Sequence, residues 1–423
     1  MIIVATVAAT VGVTVALVLL VMNLSLGDKQ VDWRPKHLYA VADPQFVRTM
    51  SVMLGPPLTG GNRVEALLNG DQIFPAMLDP IRAAKETVTF ETYIYWSGSI
   101  GKAFADALAE RANAGVRVHV LIDWVGSSKI DEAYLQEMQA AGVELRRYNK
   151  PRWYTIGRLN NRTHRKLLVV DGMVGFTGGV GIADKWLGNA QSPENWRDTH
   201  FRVEGPAVAH FQAAFLANWT KATGEVLHGR PYFPPLQPTG SQRAQVFISS
   251  PGGGGESVQL MYLLSIGAAT RSIRLSMSYF VPDDVAVESF VQALERGVKV
   301  QLILPGEHID AEVVRRASRA TWGRLLQAGA EIYEYQPTMF HCKVMIVDDL
   351  WVSVGSTNFD NRSFAVNDEA NLNVYDAAFA QRQSTVFDED LKGSRRISLE
   401  EWENRPWREK LVERASAILS SQL

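Results

Sequence analysis

One motif occurs twice in this chain, and that repetition limits the fold more than any other feature. The first copy reads His164-Arg165-Lys166-Leu167-Leu168-Val169-Val170-Asp171; the second, 177 residues on, reads His341-Cys342-Lys343-Val344-Met345-Ile346-Val347-Asp348. Each has a His, a Lys two residues later and an Asp five beyond the Lys, with four apolar residues between. Side chains alternate along a strand, so His and Lys at i and i+2 emerge on one face and can address one ligand, while the apolar run buries the strand behind them. Small-residue turns follow both copies, Thr177-Gly178-Gly179 and Val354-Gly355-Ser356-Thr357-Asn358. Such turns let backbone N–H groups and short side chains approach an anion. A lone His on an apolar strand is more often structural than reactive; the same constellation in two corresponding places is not read that way.

The surrounding sequence repeats too. Residues 73–85 read as a helix, Thr87–Trp96 as a buried strand, Lys102–Ala114 as a helix stopped by Gly115, and Val116–Trp124 as a strand. Asp131–Ala141 is a helix stopped by Gly142, and Val143–Tyr148 a strand. The second half answers with strands Ser272–Val281, Val298–Leu304 and Glu331–Tyr335 and helix stops at Gly297 and Gly329, displaced by 182 and 187 residues. The motif offset of 177 leaves the first copy a longer preceding loop, Asn149–Thr163. Strands alternating with helices predict an α/β class: two duplicated α/β sandwich domains with mainly parallel central sheets. The Pro-rich stretch Arg230–Gly240 and the glycines Gly252–Gly255 place a boundary between the halves. The expected divisions are 1–24, a transmembrane anchor; 25–62, a linker; 63–229, the first domain; 230–245, an interdomain linker; 246–395, the second domain; and 396–423, an amphipathic tail.

The anchor reading comes from Ile2–Met22, which carries no charge and is long enough, at about 1.5 Å per residue, to cross a bilayer core. Its polar side chains, Thr6, Thr10 and Thr14, can hydrogen-bond back to their own helix. A cleaved signal peptide would want a basic start and a small-x-small site, and neither is clear. Lys29, Arg34 and Lys36 follow the run, mixed with Asp28 and Asp32, so the positive-inside rule puts the body on the cytoplasmic side of the membrane. Near the other end, Glu401–Leu419 mixes Trp402 and Trp407 with Arg405, Arg408 and Lys410. That composition suits an interfacial helix or one packed on its own domain; Trp153-Tyr154 is a second candidate for resting on lipid.

Forty-three basic against forty-five acidic residues, with a pI near 6.5, argue against non-specific nucleic-acid binding. The one cysteine, Cys342, excludes an intramolecular disulfide and a Cys-cluster zinc site; it reads as a small buried filler, not a thiol nucleophile. The eight histidines show no metal-ligand spacing, so no metal and no other cofactor is expected.

Two imidazoles meeting at a pseudo-two-fold interface suit phosphoryl transfer without a metal. One neutral His attacks phosphorus and the other, protonated, gives its proton to the departing oxygen. Lys166 and Lys343 would hold the non-bridging oxygens. Each ring needs an acceptor on its other nitrogen to fix the tautomer. Asp198, 34 residues after His164, and Glu369, 28 after His341, stand at similar downstream distances within WRDTH and NDEANLN; the competing reading is of solvated surface carboxylates. Asp171 and Asp348 belong to the catalytic motif by spacing, but at strand ends they read as braces that bond turn N–H groups and not as bases.

The paired motifs HRKLLVVDGMVGFTGG and HCKVMIVDDLWVSVGSTNFDNRSFAVNDEANL, with WRDTHFRVEGPAV, resemble the phospholipase D superfamily, in particular its bacterial cardiolipin synthase branch, over about residues 63–423. The resemblance implies two α/β domains sharing one active site. It implies His164 as nucleophile and His341 as general acid and base. Lys166, Lys343, Asn358 and the neighbouring Ser356 are implied as phosphate binders, and Asp198 and Glu369 as histidine orienters. It further implies phosphatidyl transfer between two phosphatidylglycerols drawn from a membrane, releasing glycerol, with no nucleic-acid partner; a hydrolytic phospholipase D that releases phosphatidic acid is the alternative. A nuclease and a non-catalytic scaffold stand further back. One departure is local: where the family has Gly-Gly-x-Asn after the first motif, this chain has Gly178-Gly179-Val180-Gly181. Symmetric phosphate binding is therefore in doubt.

Overall fold

The computed structural model describes residues 2–24, 31, 33–151, 160–251 and 258–418. Gly252–Gly255, Trp153-Tyr154, Lys29, Asp28, Asp32 and Leu419 lie outside the described residues.

The first half contributes seven strands: β1 (Thr59–Leu68), β2 (Thr87–Thr92), β3 (Arg117–Asp123), β4 (Glu144–Tyr148), β5 (Leu167–Val170), β6 (Val174–Gly178) and β7 (Thr199–Glu204). The second contributes β8 (Gln242–Ser249), β9 (Ser272–Met277), β10 (Phe280–Val281), β11 (Lys299–Pro305), β12 (Glu331–Tyr335), β13 (Lys343–Val347), β14 (Trp351–Gly355), β15 (Phe359–Asp360), β16 (Glu369–Tyr375) and β17 (Ser394–Ile397). Fifteen of these form one continuous sheet in the order β17-β12-β11-β9-β13-β14-β16-β8-β1-β7-β6-β5-β2-β3-β4. Outward from the central β8–β1 contact seven strands of each half correspond in order, so β13 answers β5 and β16 answers β7, and β17 is an extra edge strand of the second half. The β8–β1 ladder is antiparallel, with Thr59 opposite Ala244 and Asn62 opposite Gln242.

The sheet corrects the expectation of mainly parallel strands. Only β2-β3-β4 and β9-β11-β12 run parallel; the remaining neighbours are antiparallel. Helical crossovers enforce parallel pairing only between β2 and β4 and between β9 and β12. After that each motif strand returns through a tight turn, Asp171–Met173 or Asp348–Leu350, which permits only a hairpin.

The helices are α1 (Ile2–Leu24), α2 (Pro44–Met53), α3 (Asn69–Ala83), α4 (Ser99–Asn113), α5 (Glu132–Ala140), α6 (Val208–Thr223), α7 (Val258–Ala268), α8 (Asp284–Glu295), α9 (Glu312–Gln327), α10 (Asn361–Ala365), α11 (Ala377–Lys392), α12 (Leu399–Asn404) and α13 (Trp407–Ala417). Ile73, Phe74 and Met77 of α3, Phe104 and Leu108 of α4 and Leu135 of α5 bury against Val88, Val118 and Val120 of the first half-sheet. Met261 and Ile266 of α7, Phe290 of α8 and Trp322 of α9 do the same in the second.

Of the segment expected to link the anchor to the first domain, 25–62, residues 33–58 pack on the second half. Arg34 pairs with Glu288 at 2.7 Å, the Val41 N–H donates to the Ala268 carbonyl at 3.1 Å, and Phe46, Val47 and Met50 of α2 enter the second core. Phe46 meets the Trp351 ring edge-on at 5.1 Å. Strand β8 likewise starts inside the stretch 230–245 expected to be a linker. In the tail, β17 closes the sheet edge against β12, and Trp402 donates its indole N–H to the Arg319 carbonyl of α9 at 2.8 Å, while Trp407 stays exposed.

Within α1 the Thr10 and Thr14 hydroxyls donate to the carbonyls four residues back, both at 2.9 Å. The uninterrupted run of described side chains there is Ala9–Val21, and among the described residues no helix is long and apolar enough to cross a membrane.

Candidate active site

His164 precedes β5 by three residues and His341 precedes β13 by two, and both are fixed by backbone pairing with the opposite half. The His164 N–H donates to the Asp368 carbonyl at 2.9 Å, and the Asp368 N–H to the Arg162 carbonyl at 2.8 Å. Two-fold related to these, His341 N–H donates to the Arg197 carbonyl at 2.8 Å and Arg197 N–H to the Met339 carbonyl at 2.9 Å. Short parallel bridges, Thr163 with Asp368 and Arg197 with Phe340, therefore join the approach to each histidine to the approach to the other half's carboxylate.

The consequence is a crossed pairing. His164 Nδ1 lies 2.9 and 3.0 Å from the two Glu369 carboxylate oxygens, and His341 Nδ1 lies 2.8 Å from Asp198 Oδ2. The downstream offsets had matched Asp198 with His164 and Glu369 with His341; the structure corrects that assignment. Neither carboxylate is a solvated surface group, since both are fully buried. A ring nitrogen this close to a carboxylate carries the proton, so each Nε2 is left with its lone pair.

The two pairs are unequal. Burial, opposed by the nearby Lys166 ammonium and the Ser356 hydroxyl, leaves the Glu369 carboxyl raised to about 7. Asp198 is buried as deeply, yet His341, Lys343 and the Thr199 N–H outweigh that burial and hold it below the usual carboxylate range. Burial and then the two lysines push His164 well below the ordinary imidazole value; burial and Lys343 lower His341, with Asp198 pulling the other way. His164 is thus the ring kept neutral, and His341, facing a firmly ionised partner, the one more readily protonated when an anion enters.

Lys166 donates to the His164 carbonyl at 2.7 Å and Lys343 to the His341 carbonyl at 2.9 Å, folding both ammonium groups back beside the rings. Burial lowers both, Lys166 to about 7. His164, Lys166, His341 and Asn358 line one cavity of about 840 Å³ between the halves. Asn358 is oriented by its Oδ1, which accepts from the Ser278 hydroxyl at 2.7 Å, and Lys343 donates to the same hydroxyl at 2.7 Å. In the first half the equivalents of Ser278 and Asn358 are Tyr93 and Gly181. The Tyr93 ring stands edge-on to His164 at 5.3 Å and lies under Lys166 at 5.7 Å; a Cβ on Gly181 would approach Ile94 Cβ to 2.8 Å. One side of the site offers amide and hydroxyl, the other an aromatic wall.

Three expected site residues lie elsewhere. Ser356 is fully buried and donates to Glu369 Oε2 at 2.5 Å, so it braces the carboxylate instead of facing the cavity. Asp171 and Asp348 sit at the far ends of β5 and β13. Asp171 accepts from the backbone N–H groups of Lys85, Glu86 and Thr87, and Asp348 from those of Thr270, Arg271 and Ser272. Both take positive φ, 52° and 53°, which lets one short carboxylate gather three donors. Cys342 is buried, its thiol pushed up to about 12 by burial. Among the described residues no group of His, Cys, Asp and Glu is placed to hold a metal ion.

Other groups carried no signal in the sequence. Trp186 donates its indole N–H to Asp198 Oδ2 at 2.9 Å and stands 5.4 Å from the His341 ring, with Trp196 at the same distance. Arg165, fully buried, bonds the carbonyls of Glu369 at 3.2 Å and Ala214 at 2.8 Å. Arg197 grips Asp390 with two bonds, at 2.8 and 2.9 Å.

Comparison with known proteins agrees with this geometry. The family described as "Cardiolipin synthase, PLD-like domain" matches residues 77–219 and 262–391. The chain is 35% identical over 370 residues to a cardiolipin synthase of Geobacillus thermodenitrificans, covering 87% of this chain and 74% of that protein. It is 34% identical over 365 residues to the major cardiolipin synthase of Bacillus subtilis, 86% and 76%. The crystal structure of a phosphatidylserine synthase of Haemophilus influenzae superposes with a TM-score of 0.67 at 13% identity, covering 90% of this chain and 100% of that one, and shows a shared fold. Two motif halves, one shared cavity and this extent of identity establish that the chain belongs to the phospholipase D-like cardiolipin synthase family.

Proposed function

We propose that this protein is a phosphatidyltransferase of the cardiolipin synthase type, joining two phosphatidylglycerols into cardiolipin and releasing glycerol. The observation that carries the reading is the crossed pair of His–carboxylate contacts opening on one cavity. Neutral His164 attacks the phosphorus of the first lipid through Nε2, the bond to the glycerol oxygen breaks, and His341 supplies that oxygen with a proton. Lys166, Lys343 and the Asn358 amide take the non-bridging oxygens, where charge grows in the transition state. The hydroxyl of the second lipid then gives its proton to His341, its oxygen bonds to phosphorus, and the P–N bond to His164 breaks.

A membrane attachment accompanies this reading. Helix α1 is uncharged, and side chains such as Val13 and Leu17 stand exposed. Such a helix suits the hydrocarbon of a bilayer, with Arg34 and Lys36 beyond it on the cytoplasmic face. Phosphatidylglycerol vesicles incubated with the full chain are expected to yield cardiolipin and glycerol in equal amounts. Phosphatidic acid as the sole lipid product would overturn the transfer reading in favour of hydrolysis.

A further inference from the structure

The cavity carries more positive charge than one phosphodiester needs. Its lining includes Lys129, Arg162, Lys166, Lys185 and Arg362 against two carboxylates, Asp310 and Asp360, in a chain whose net charge is −2; of these cations Arg162 is already paired with the buried Asp123 at 3.5 Å. Both carboxylates are engaged, Asp310 by the Tyr279 hydroxyl at 2.7 Å and Asp360 by the Ser363 N–H at 2.8 Å. A diester has a single negative charge, and Lys166 and Lys343 already flank the histidines that receive it.

Two of the surplus cations share one wall. Lys129 Nζ sits 4.2 Å above the Trp96 ring. The Trp96 N–H donates to the Ile182 carbonyl at 2.8 Å and the Ser97 N–H to the Lys129 carbonyl at 3.2 Å, so the Tyr95–Ser97 segment lies between the loops bearing Lys129 and Lys185. The carboxylate next to Lys185, Asp184, is turned away to accept from the Ser99 and Ile100 N–H groups at the start of α4. Among the described residues neither lysine has a carboxylate within 4 Å. The Lys185 carbonyl accepts from the Trp196 N–H at 2.7 Å, and Trp196 and Trp186 both contact the His341 ring. Through Lys185 and Trp196 this wall reaches His341.

That side matters for an in-line displacement at phosphorus. With His164 on one face, the group that leaves and the group that replaces it both occupy the opposite face, beside His341. An incoming phosphatidylglycerol brings its own phosphodiester, three carbons from the hydroxyl that attacks, and that second anion must be placed on the same side.

We propose that Lys129 and Lys185, with Trp96 between them, form a second anion subsite that takes the phosphodiester of the acceptor lipid. The proposal deepens the phosphatidyl-transfer reading and depends on it. The subsite makes an anionic glycerophosphodiester a better acceptor than a neutral alcohol, which reaches the same His341 without using either lysine.

The test follows two products at once in phosphatidylglycerol vesicles containing labelled free glycerol: cardiolipin, and phosphatidylglycerol labelled by exchange. In a K129Q/K185Q variant the ratio of cardiolipin to exchange product is expected to fall about tenfold, the usual scale for losing charge-assisted contacts to one anion. K129R/K185R should recover most of it, and K185E alone should lower the ratio further than K185Q. An unchanged ratio, or cardiolipin and exchange falling in step, would overturn the subsite while leaving phosphatidyl transfer in place. A wild-type chain making no cardiolipin would instead overturn the transfer reading, and the subsite with it.

Discussion

Glu369 and Asp198 do the same job at two temperaments. Glu369, raised to about 7 by burial, changes protonation in the neutral range; Asp198, held below the usual range, does not. Once protonated, Glu369 no longer holds the His164 Nδ1 proton in place, so kcat/KM is expected to fall as pH drops through about 7. The alkaline side belongs to Lys166, lowered to about 7 by burial, whose charge is lost from the free enzyme as pH rises. A pH profile of Lys166→Arg should lack the alkaline limb, because a guanidinium stays charged; an unchanged limb would exclude Lys166 as its source. His164→Ala is expected to abolish turnover. His341→Ala should still form the covalent adduct from a substrate whose leaving group needs no proton, detectable as phosphohistidine by mass spectrometry. Both histidines, both lysines, both orienting carboxylates and Asn358 could be named from sequence. Who orients whom could not, because each carboxylate lies nearer in sequence to the histidine of its own half and only the cross-half bridges reverse that pairing. Ser356 misled for a related reason: its place in a small-residue turn fits an anion contact, and the buried Glu369 claims its hydroxyl.

At the level of strands and turns, helix stops and strand positions were largely legible because Gly115, Gly142, Gly297 and Gly329 all take positive φ at helix ends. Strand direction was not, since an apolar run has the same pattern in a parallel ladder and in a hairpin. Two turns invite direct tests. Gly179 is the counterpart of Ser356, and a Cβ there would stand 2.3 Å from Asp198 Oδ1. Gly179→Ala should therefore push Asp198 off His341 and lower kcat about a hundredfold, roughly 2.7 kcal/mol, in a chain that still folds. Circular dichroism together with the rate would check both parts. Asp171→Ala removes an acceptor from three N–H groups at a strand end and should cost about 1–3 kcal/mol of stability. Its initial rate at 25 °C should stay within about twofold; a large loss of rate in folded protein would return Asp171 to the chemistry.

Over the whole molecule, the continuous sheet and the exchanged backbone bridges make the two halves one working unit. Mixing inactive His164→Ala and His341→Ala chains is expected to restore nothing, since both rings must belong to one molecule; recovered cardiolipin synthesis in the mixture would refute that. The duplication was visible in the sequence, whereas the path of residues 33–58 over the second core was not. Its glycines and prolines mark turns, and nothing local shows that Phe46 will meet Trp351. The crossed contacts also speak to origin. A half that borrows its orienting carboxylate could not have worked alone, so the unfused ancestor had to operate as a face-to-face pair of identical chains. Every change in such an ancestor struck both sides at once. Joining the genes lifted that constraint, and Tyr93 with Gly181 facing Ser278 with Asn358 is the record of two sides since free to diverge.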